Sequence, residues 1–377
     1  MFKKKSAMRQ FTIITIMISL VWSINGQTND MDTLVLKLRE SLKYDYFQKN
    51  KNQNINLPMI YEGEKFNVRI ADTLLGLSKR EIVLINPSND NTFPLSFSVI
   101  FQDNLVSLFE PGCFICYKLS DFTRNTELEK ILNTKQFKYH WLIDNKLYGL
   151  ASGKFWVLDS SDNWIKTDIN LPFDKRPKLF GDSEYFAYCD CHGEFGGTVY
   201  FYNRINKNTY FTEATCANSI IKTDKGYYVL SQLGHMMGGT DLKLISDPSK
   251  LSNLKDFSKN KVSVNALGYS DKSNQATKVF DFYGIQFFSR FNWDNKALYI
   301  VNWQERTFIA EIHNKDIVIV DPLFNSDLYT HNPITSMFDN DIILMNLDLY
   351  GIAREREVSV IIIKGKELTK IDWNKKH

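Results

Sequence analysis

Cysteine and histidine side chains occur beside paired glycines at two places in the chain. In "CDCHGEFGG", Cys189, Cys191 and His192 come before the glycine pair, and in "LGHMMGG" His235 does. Thiolate and imidazole groups bind transition metals, and imidazole also exchanges a proton near neutral pH. Two cysteines of an exported chain can instead form a disulfide. The two stretches are therefore candidates for a metal site, an acid–base group or a cross-linked hairpin, depending on the elements that hold them.

A repeated pattern predicts those elements. An apolar strand, an aspartate at a tight turn and a second apolar strand recur, and the aspartates are Asp72, Asp103, Asp144, Asp182, Asp224, Asp294 and Asp339. Their spacings are 31, 41, 38, 42, 70 and 45 residues, and four-stranded propeller blades repeat about every 40 to 50 residues. The short interval is interpreted as a trimmed blade. The long one is interpreted as an insertion between about Asp247 and Phe288, or as an unrecognised blade.

The repeat predicts an all-β fold, a β-propeller of four-stranded blades with a short N-terminal helix. Seven blades are favoured, with six or eight as alternatives. In this pattern the chain resembles secreted seven-bladed β-propeller proteins in general, without matching a specific family. A pair of β-sandwiches is the main alternative, but it does not require the same turn at near-constant spacing. Because Asp before Asn, Lys or Ser suits a tight hairpin, the aspartates are interpreted as turn residues.

The turn pattern also predicts a functional face. If the Asp turns join strands one and two of each blade, the loops between strands two and three lie on the opposite face, with the links between blades. His192 and His235 lie 10 and 11 residues after their aspartates, so equivalent loops of neighbouring blades should hold them. The candidate ligand-binding residues on this face are His192, Glu194, His235, Trp303, Gln304, Arg306, Tyr350 and Arg354.

These side chains combine aromatic rings with charged and hydrogen-bonding groups, which suits a glycan or a protein. The sequence therefore predicts a ligand-binding or interaction module for one of these two partner classes. A carbohydrate-active hydrolase or lyase on the same face is the alternative function. The alternative structural interpretation is that these are ordinary solvated loop residues.

No catalytic residue is assigned, and neither a metal nor a cofactor is predicted. Some β-propeller enzymes, the oligogalacturonate lyases, hold a metal with histidines and a glutamine at the mouth of the channel. The chain is similar to them only in architecture and in having His192, His235 and Gln304 on the predicted face. No local motif matches, so the similarity assigns no metal ligand.

The five cysteines leave at least one thiol unpaired within the chain. Cys191 and Cys216 are predicted to lie on the same face and to form a disulfide that closes a loop of 25 residues, with Cys189 as the competing partner. Cys113 and Cys116 are predicted to pack as small apolar side chains, because residues three apart in a strand face opposite ways.

The N-terminus has the pattern of an export signal. A basic start, Lys3 to Arg9, precedes an uncharged run of twelve residues, 11–22, which is too short to span a bilayer. The expected organisation is a signal peptide over 1–26, a helix and polar linker over 27–58, and the propeller over 59–377. An uncleaved N-terminal anchor is the alternative. The predicted location is extracytoplasmic, either periplasmic or secreted, with no membrane insertion after cleavage.

Without the predicted signal peptide the chain keeps 42 basic and 43 acidic residues, a net charge of −1. Because no basic block remains, nucleic acid is not a predicted partner. The 27 Phe, 18 Tyr and 7 Trp residues are typical of a chain with many strands. The helical pattern that precedes them is an apolar stripe at Met31, Leu34, Val35, Leu38 and Leu42.

Overall fold

The computed structural model describes residues 30–42, 59–88, 94–169, 171–234, 237–257, 268–328, 330, 333–347 and 360–374. The predicted signal peptide and the polar linker lie outside the described residues. Residues 30–42 form helix α1, and the side chains of its apolar stripe are buried. They pack in one cluster with side chains of the first two strands, including Phe66 and Val68. No helix among the described residues is long and apolar enough to cross a bilayer.

The strands follow one another as antiparallel neighbours in six sheets. Three strands precede the repeating part: β1 Met59–Glu62, β2 Asn67–Ile70 and β3 Ser78–Leu84. The blades are then, in chain order: blade one, β4 Val99–Phe101, β5 Asn104–Phe109 and β6 Cys113–Lys118; blade two, β7 Tyr139–Ile143, β8 Lys146–Ala151, β9 Lys154–Leu158 and β10 Trp164–Lys166; blade three, β11 Lys178–Gly181, β12 Tyr185–Cys191, β13 Gly197–Asn203 and β14 Thr209–Glu213; blade four, β15 Ala217–Thr223, β16 Gly226–Leu233, β17 Gly239–Ile245 and, after the short strand β18 Ser252–Asn253, β19 Ala276–Tyr283; blade five, β20 Gln286–Trp293, β21 Lys296–Trp303, β22 Arg306–His313 and β23 Asp316–Asp321; blade six, β24 Ile334–Phe338, β25 Ile342–Asn346, β26 Val360–Lys364 and β27 Glu367–Trp373.

Short helical segments connect some of these strands. Helix α2 lies between blades one and two, and single 3₁₀ turns lie in several loops. Their bounds are Thr126–Leu132 for α2 and Gly193–Phe195, Pro248–Lys250, Leu254–Phe257 and Asp339–Asp341 for the 3₁₀ turns.

The first strands of the six blades contact one another around a central channel, so the described residues form an all-β propeller with few helices. It has six blades among the described residues, and the preference for seven is not confirmed; six was one of the alternatives. Asp72, the first of the seven recurring aspartates, does not join two strands of one sheet. Strand β2 pairs in parallel with β23 and β3 pairs in parallel with β27, so these two strands extend blades five and six.

The interval of 70 residues holds an insertion within blade four. It lies between Ile245 and Ala276, and its short strand β18 pairs with β14 of blade three. The other six aspartates lie between the first and second strands of their blades. Asp144 and Asn145 adopt φ of 48° and 58°, and Asp294 and its following Asn295 adopt 48° and 60°, which confirms the interpretation of these aspartates as hairpin residues.

Candidate functional site

The predicted face exists as a structural surface, because the Asp turns join strands one and two and leave the loops between strands two and three at the other end. We call this surface the loop face. His192 and Glu194 lie in its blade-three loop, and Gln304 lies in its blade-five loop. His235, Tyr350 and Arg354 lie outside the described residues, so the predicted equivalence of His192 and His235 stays a prediction.

The loop that carries His192 is held by the hairpin of β12 and β13. The Asp190 carboxylate accepts hydrogen bonds from the Tyr200 hydroxyl at 2.6 Å and from the Thr198 amide at 2.8 Å. The His192 Nε2 atom lies 3.7 Å from the same carboxylate, and its ring is partly exposed. The glycine pair serves backbone geometry: Gly196 has φ of 102°, and a Cβ on Gly197 would lie 2.7 Å from the carbonyl oxygen of Ala214.

Cys191 and Cys216 form a disulfide with a sequence separation of 25 residues. It joins the end of β12 to the link that leads into blade four, so it fixes the start of the His192 loop. Cys189 is buried, donates to the Ala217 carbonyl, and burial raises the pKa of its thiol to about 12. Burial also raises the pKa of the Cys113 and Cys116 thiols. The three free cysteines therefore stay protonated at neutral pH, as packed side chains do.

The blade-five candidates and His192 lie in non-adjacent blades, with blade four between them. Trp303, one of the predicted ligand-binding candidates, does not present an exposed ring. Its side chain is 4% exposed and its ring packs against Tyr61 and Phe66, because the strands before blade one fold over it. Arg306 donates to the neighbouring carbonyl of Glu305. Within the described residues no group of three His, Cys, Asp or Glu side chains could hold a metal ion.

Three large apolar side chains that the sequence reasoning missed are exposed on the loop face. Phe195 follows His192 in the blade-three loop, Met237 lies in the blade-four loop, and Tyr283 ends β19 beside that loop. Their exposed fractions are 53%, 52% and 59%. We call these three residues the apolar patch. Exposed apolar side chains grouped on one face of a protein indicate a contact surface.

A cavity of about 380 Å³ occupies the central channel, and it opens among the Asp turns, at the end opposite the loop face. All six blades contribute to its wall, mostly with apolar side chains from first strands. The larger of these are Phe97, Trp141, Phe180, Phe186, Ile220 and Phe338. Its volume lies in the range of small-molecule pockets, about 300 to 1,000 Å³. No local pattern in the sequence predicts this cavity, because it forms only where the first strands converge.

The mouth of the cavity is ringed by charged pairs. The Arg204 guanidinium donates to both carboxylate oxygens of Asp144, at 2.5 and 3.1 Å. The Lys222 ammonium donates to Asp182 at 2.6 Å, and the hydrogen bonds to Asp182 and Tyr227 raise the pKa of Lys222. Such pairs fix the side chains at the mouth while leaving little net charge there.

Lys178 stands apart from these pairs. It begins β11, and its half-buried ammonium has no hydrogen bond or ion pair with another described residue. The side chain extends along the strand to Gly181, where an added Cβ would lie 3.6 Å from Nζ. Burial lowers the pKa of Lys178 to about 8, against a smaller opposing effect of Asp144. The cavity therefore contains an amine that is held close to its titration point at neutral pH.

His140 also lines the cavity, but it is not a proton donor at neutral pH. Its ring is buried, its Nδ1 lies 2.7 Å from the Ser96 hydroxyl, and burial lowers its pKa to about 3. The neighbouring Tyr139 is buried too, and burial raises the pKa of its hydroxyl. These two residues are neutral parts of the wall.

No family model matches the chain, and no curated protein matches it. Among solved structures, BamB from Moraxella catarrhalis is 9% identical, with 68% of this chain and 67% of that chain covered and a TM-score of 0.32. The N-terminal domain of Nup159 is 8% identical, with 67% and 72% covered and a TM-score of 0.27. The AfRom2 CNH domain is 10% identical, with 73% and 88% covered and a TM-score of 0.32. BamB and the Nup159 domain are β-propeller proteins, and the general resemblance of this chain to propellers is confirmed by its own six sheets. At these TM-scores the likeness carries no argument about function.

Proposed function

We propose that the chain is an extracytoplasmic β-propeller that acts as a protein-interaction module through its loop face. The observation that supports this most directly is the apolar patch, whose three side chains are each more than half exposed. Phenylalanine, tyrosine and methionine are enriched where proteins bind one another. A partner that covered the patch would remove this apolar surface from water, which favours binding.

Two features of blade three make its loop suitable for binding. The disulfide and the Asp190 hydrogen bonds hold the loop that carries Phe195, so little conformational entropy is lost when a partner binds. His192 lies next to the patch with a partly exposed ring and adds a polar edge. An apolar centre with a polar edge is the usual composition of a protein interface.

The proposed location outside the cytoplasm is supported by the cysteines. The Cys191–Cys216 disulfide suits an oxidising compartment, where such bonds form and persist. The proposed signal peptide would deliver the chain there. The test is fractionation of expressing cells with N-terminal sequencing of the mature protein, which is expected to begin near Gln27. A protein that stays in the cytoplasm with five free thiols would contradict this location.

Site-specific photo-crosslinking tests the binding face. A benzophenone amino acid is placed in turn at Phe195, Met237 and Tyr283, with Ile205 as the matched control. Ile205 is 77% exposed but lies in the loop between β13 and β14, at the Asp-turn end. The same protein partner should be captured from all three patch positions and not from Ile205. Equal capture from Ile205, or none from the patch, would contradict the proposal.

A glycan is the other ligand class expected for this face, and the same variants separate the two. The purified mature chain is applied to a glycan array alongside Phe195→Asp. Saturable glycan binding that the substitution removes, without any captured protein, would assign the face to glycans. The alternative of a carbohydrate-active enzyme requires His192, Glu194, His235 and Arg306 to converge, and His235 lies outside the described residues.

A further inference from the structure

Two charged residues that line the central cavity, Asp339 and Lys178, have no ion pair with another described residue. Arg204 is paired with Asp144 and Lys222 with Asp182. Asp339 accepts a hydrogen bond from the Asn145 amide at 3.0 Å and is exposed at the mouth, where water solvates its charge. This leaves Lys178 as a half-buried cation without an ion pair among the described residues, since the nearby Asp144, whose charge raises its pKa, is bound to Arg204.

A half-buried ammonium loses part of its hydration, and an opposite charge in contact with it would replace that loss. The ammonium lies beside the Gly181 backbone and the Phe186 ring: a Cβ added at Gly181 would lie 3.6 Å from Nζ and 3.1 Å from Phe186. The wall beyond it is formed by aromatic and aliphatic side chains such as Phe180, Phe186 and Phe338. A ligand that fits both features carries a negative group at one end and an apolar body at the other.

We propose that the central cavity binds a small organic anion, with a carboxylate or phosphate group on the Lys178 ammonium and an apolar body against the aromatic wall. The proposal does not rest on the loop face, since the cavity opens at the other end of the propeller. The negative group forms a charge-assisted hydrogen bond in a site partly shielded from water, where such bonds are strongest. The apolar body contributes by leaving water.

Calorimetric titration with simple probes tests the chemistry. Benzoate and phenyl phosphate carry both features, benzamide lacks the charge, and inorganic phosphate lacks the apolar body. We expect at least one of the two organic anions to bind, at least tenfold more tightly than benzamide and than inorganic phosphate. Comparison of benzoate with phenyl phosphate then identifies the preferred negative group. The affinity should fall as the pH is raised above about 8, because Lys178 loses its proton.

Three variants locate the site. Lys178→Met removes the charge at nearly equal length and is expected to weaken binding of the organic anion at least tenfold, while Lys178→Arg should keep most of it. Lys154→Met is the matched control, because Lys154 is exposed on β9 and does not line the cavity. Circular dichroism checks that each variant is folded.

The labelling of Lys178 gives a readout that does not depend on affinity. The Lys178 amine should be among the first lysines to react with trinitrobenzenesulfonate at pH 8, and the bound anion should protect it from this reaction. The proposal is overturned if no organic anion binds at millimolar concentration, if benzamide binds as well as benzoate, or if folded Lys178→Met binds like the wild type. Binding of inorganic phosphate as tight as that of phenyl phosphate would remove the role of the apolar wall.

Discussion

Removal of the Cys191–Cys216 disulfide tests how the loop face is held. The bond closes a loop of 25 residues. In the chain-entropy description a cross-link of that span lowers the entropy of the unfolded chain enough to stabilise the fold by about 3.5 kcal/mol. The double substitution Cys191→Ala with Cys216→Ala should therefore lower the free energy of unfolding by about this amount. Urea unfolding, followed by tryptophan fluorescence under non-reducing conditions, measures it.

The matched control for this change is Cys113→Ala, which removes a partly exposed free thiol from blade one. Its effect should stay within about 1 kcal/mol. Thiol titration of the denatured, unreduced protein should find three reactive thiols, those of Cys113, Cys116 and Cys189, and five after reduction. Five thiols without reduction would refute the bond, and a double variant as stable as the wild type would refute the entropic argument.

Three further substitutions probe buried groups. The buried His140 has a folded-state pKa of about 3 against an ordinary value of 6.5, so the unfolded chain binds more protons between these values. As the pH drops through that window, the free energy of unfolding should fall by about 1.4 kcal/mol per pH unit. Urea unfolding of His140→Gln should lack this contribution. A variant with the same pH dependence as the wild type would contradict the lowered pKa of His140. Trp303→Ala should lower the free energy of unfolding by about 3 to 5 kcal/mol and leave crosslinking from the apolar patch intact. A loss of partner capture without a loss of stability would instead show that Trp303 contacts the partner. Glu129→Gln replaces with a neutral amide the buried carboxylate that pairs with Arg124 at 2.7 Å. Calorimetry should show a loss of about 3 kcal/mol in the free energy of unfolding, against almost none for Glu127→Gln at an exposed position of the same helix.

The hairpin turns could be predicted because their chemistry is local. Asp144 with Asn145 adopts two positive φ angles in succession, which few residue types tolerate. Asp72 gave the same local signal, yet its flanking strands pair with strands more than 240 residues away along the chain. Nothing in a local pattern distinguishes a strand that begins a blade from one that extends another blade. The blade number was therefore overestimated by one at this point.

The candidate site, like the fold, combines features that local sequence patterns predict with features that they do not predict. The disulfide pair followed from the alternation of faces along a meander, which is a local rule, and the structure joins the same two cysteines. The exposure of Trp303 did not follow, because Tyr61 and Phe66 come from far earlier in the chain and cover it. Lys178 gave no sign in the sequence either. A lysine that begins a short strand is usually solvated, and only the convergence of six first strands places this one in a cavity.

The changes in thermal stability and in benzoate affinity on substitution of Lys178 distinguish a ligand-binding lysine from one that only supports the fold. A charge that is half-buried without a counter-ion lowers the stability of the fold, whereas methionine at position 178 would occupy similar space and extend the apolar wall. Lys178→Met should therefore raise the midpoint of thermal unfolding while it weakens benzoate binding. A lysine that held neighbouring elements together would behave in the opposite way, since its loss would lower the midpoint. Both measurements use one variant, so a gain in stability together with a loss of binding identifies Lys178 as a residue that binds ligand at a cost to the fold.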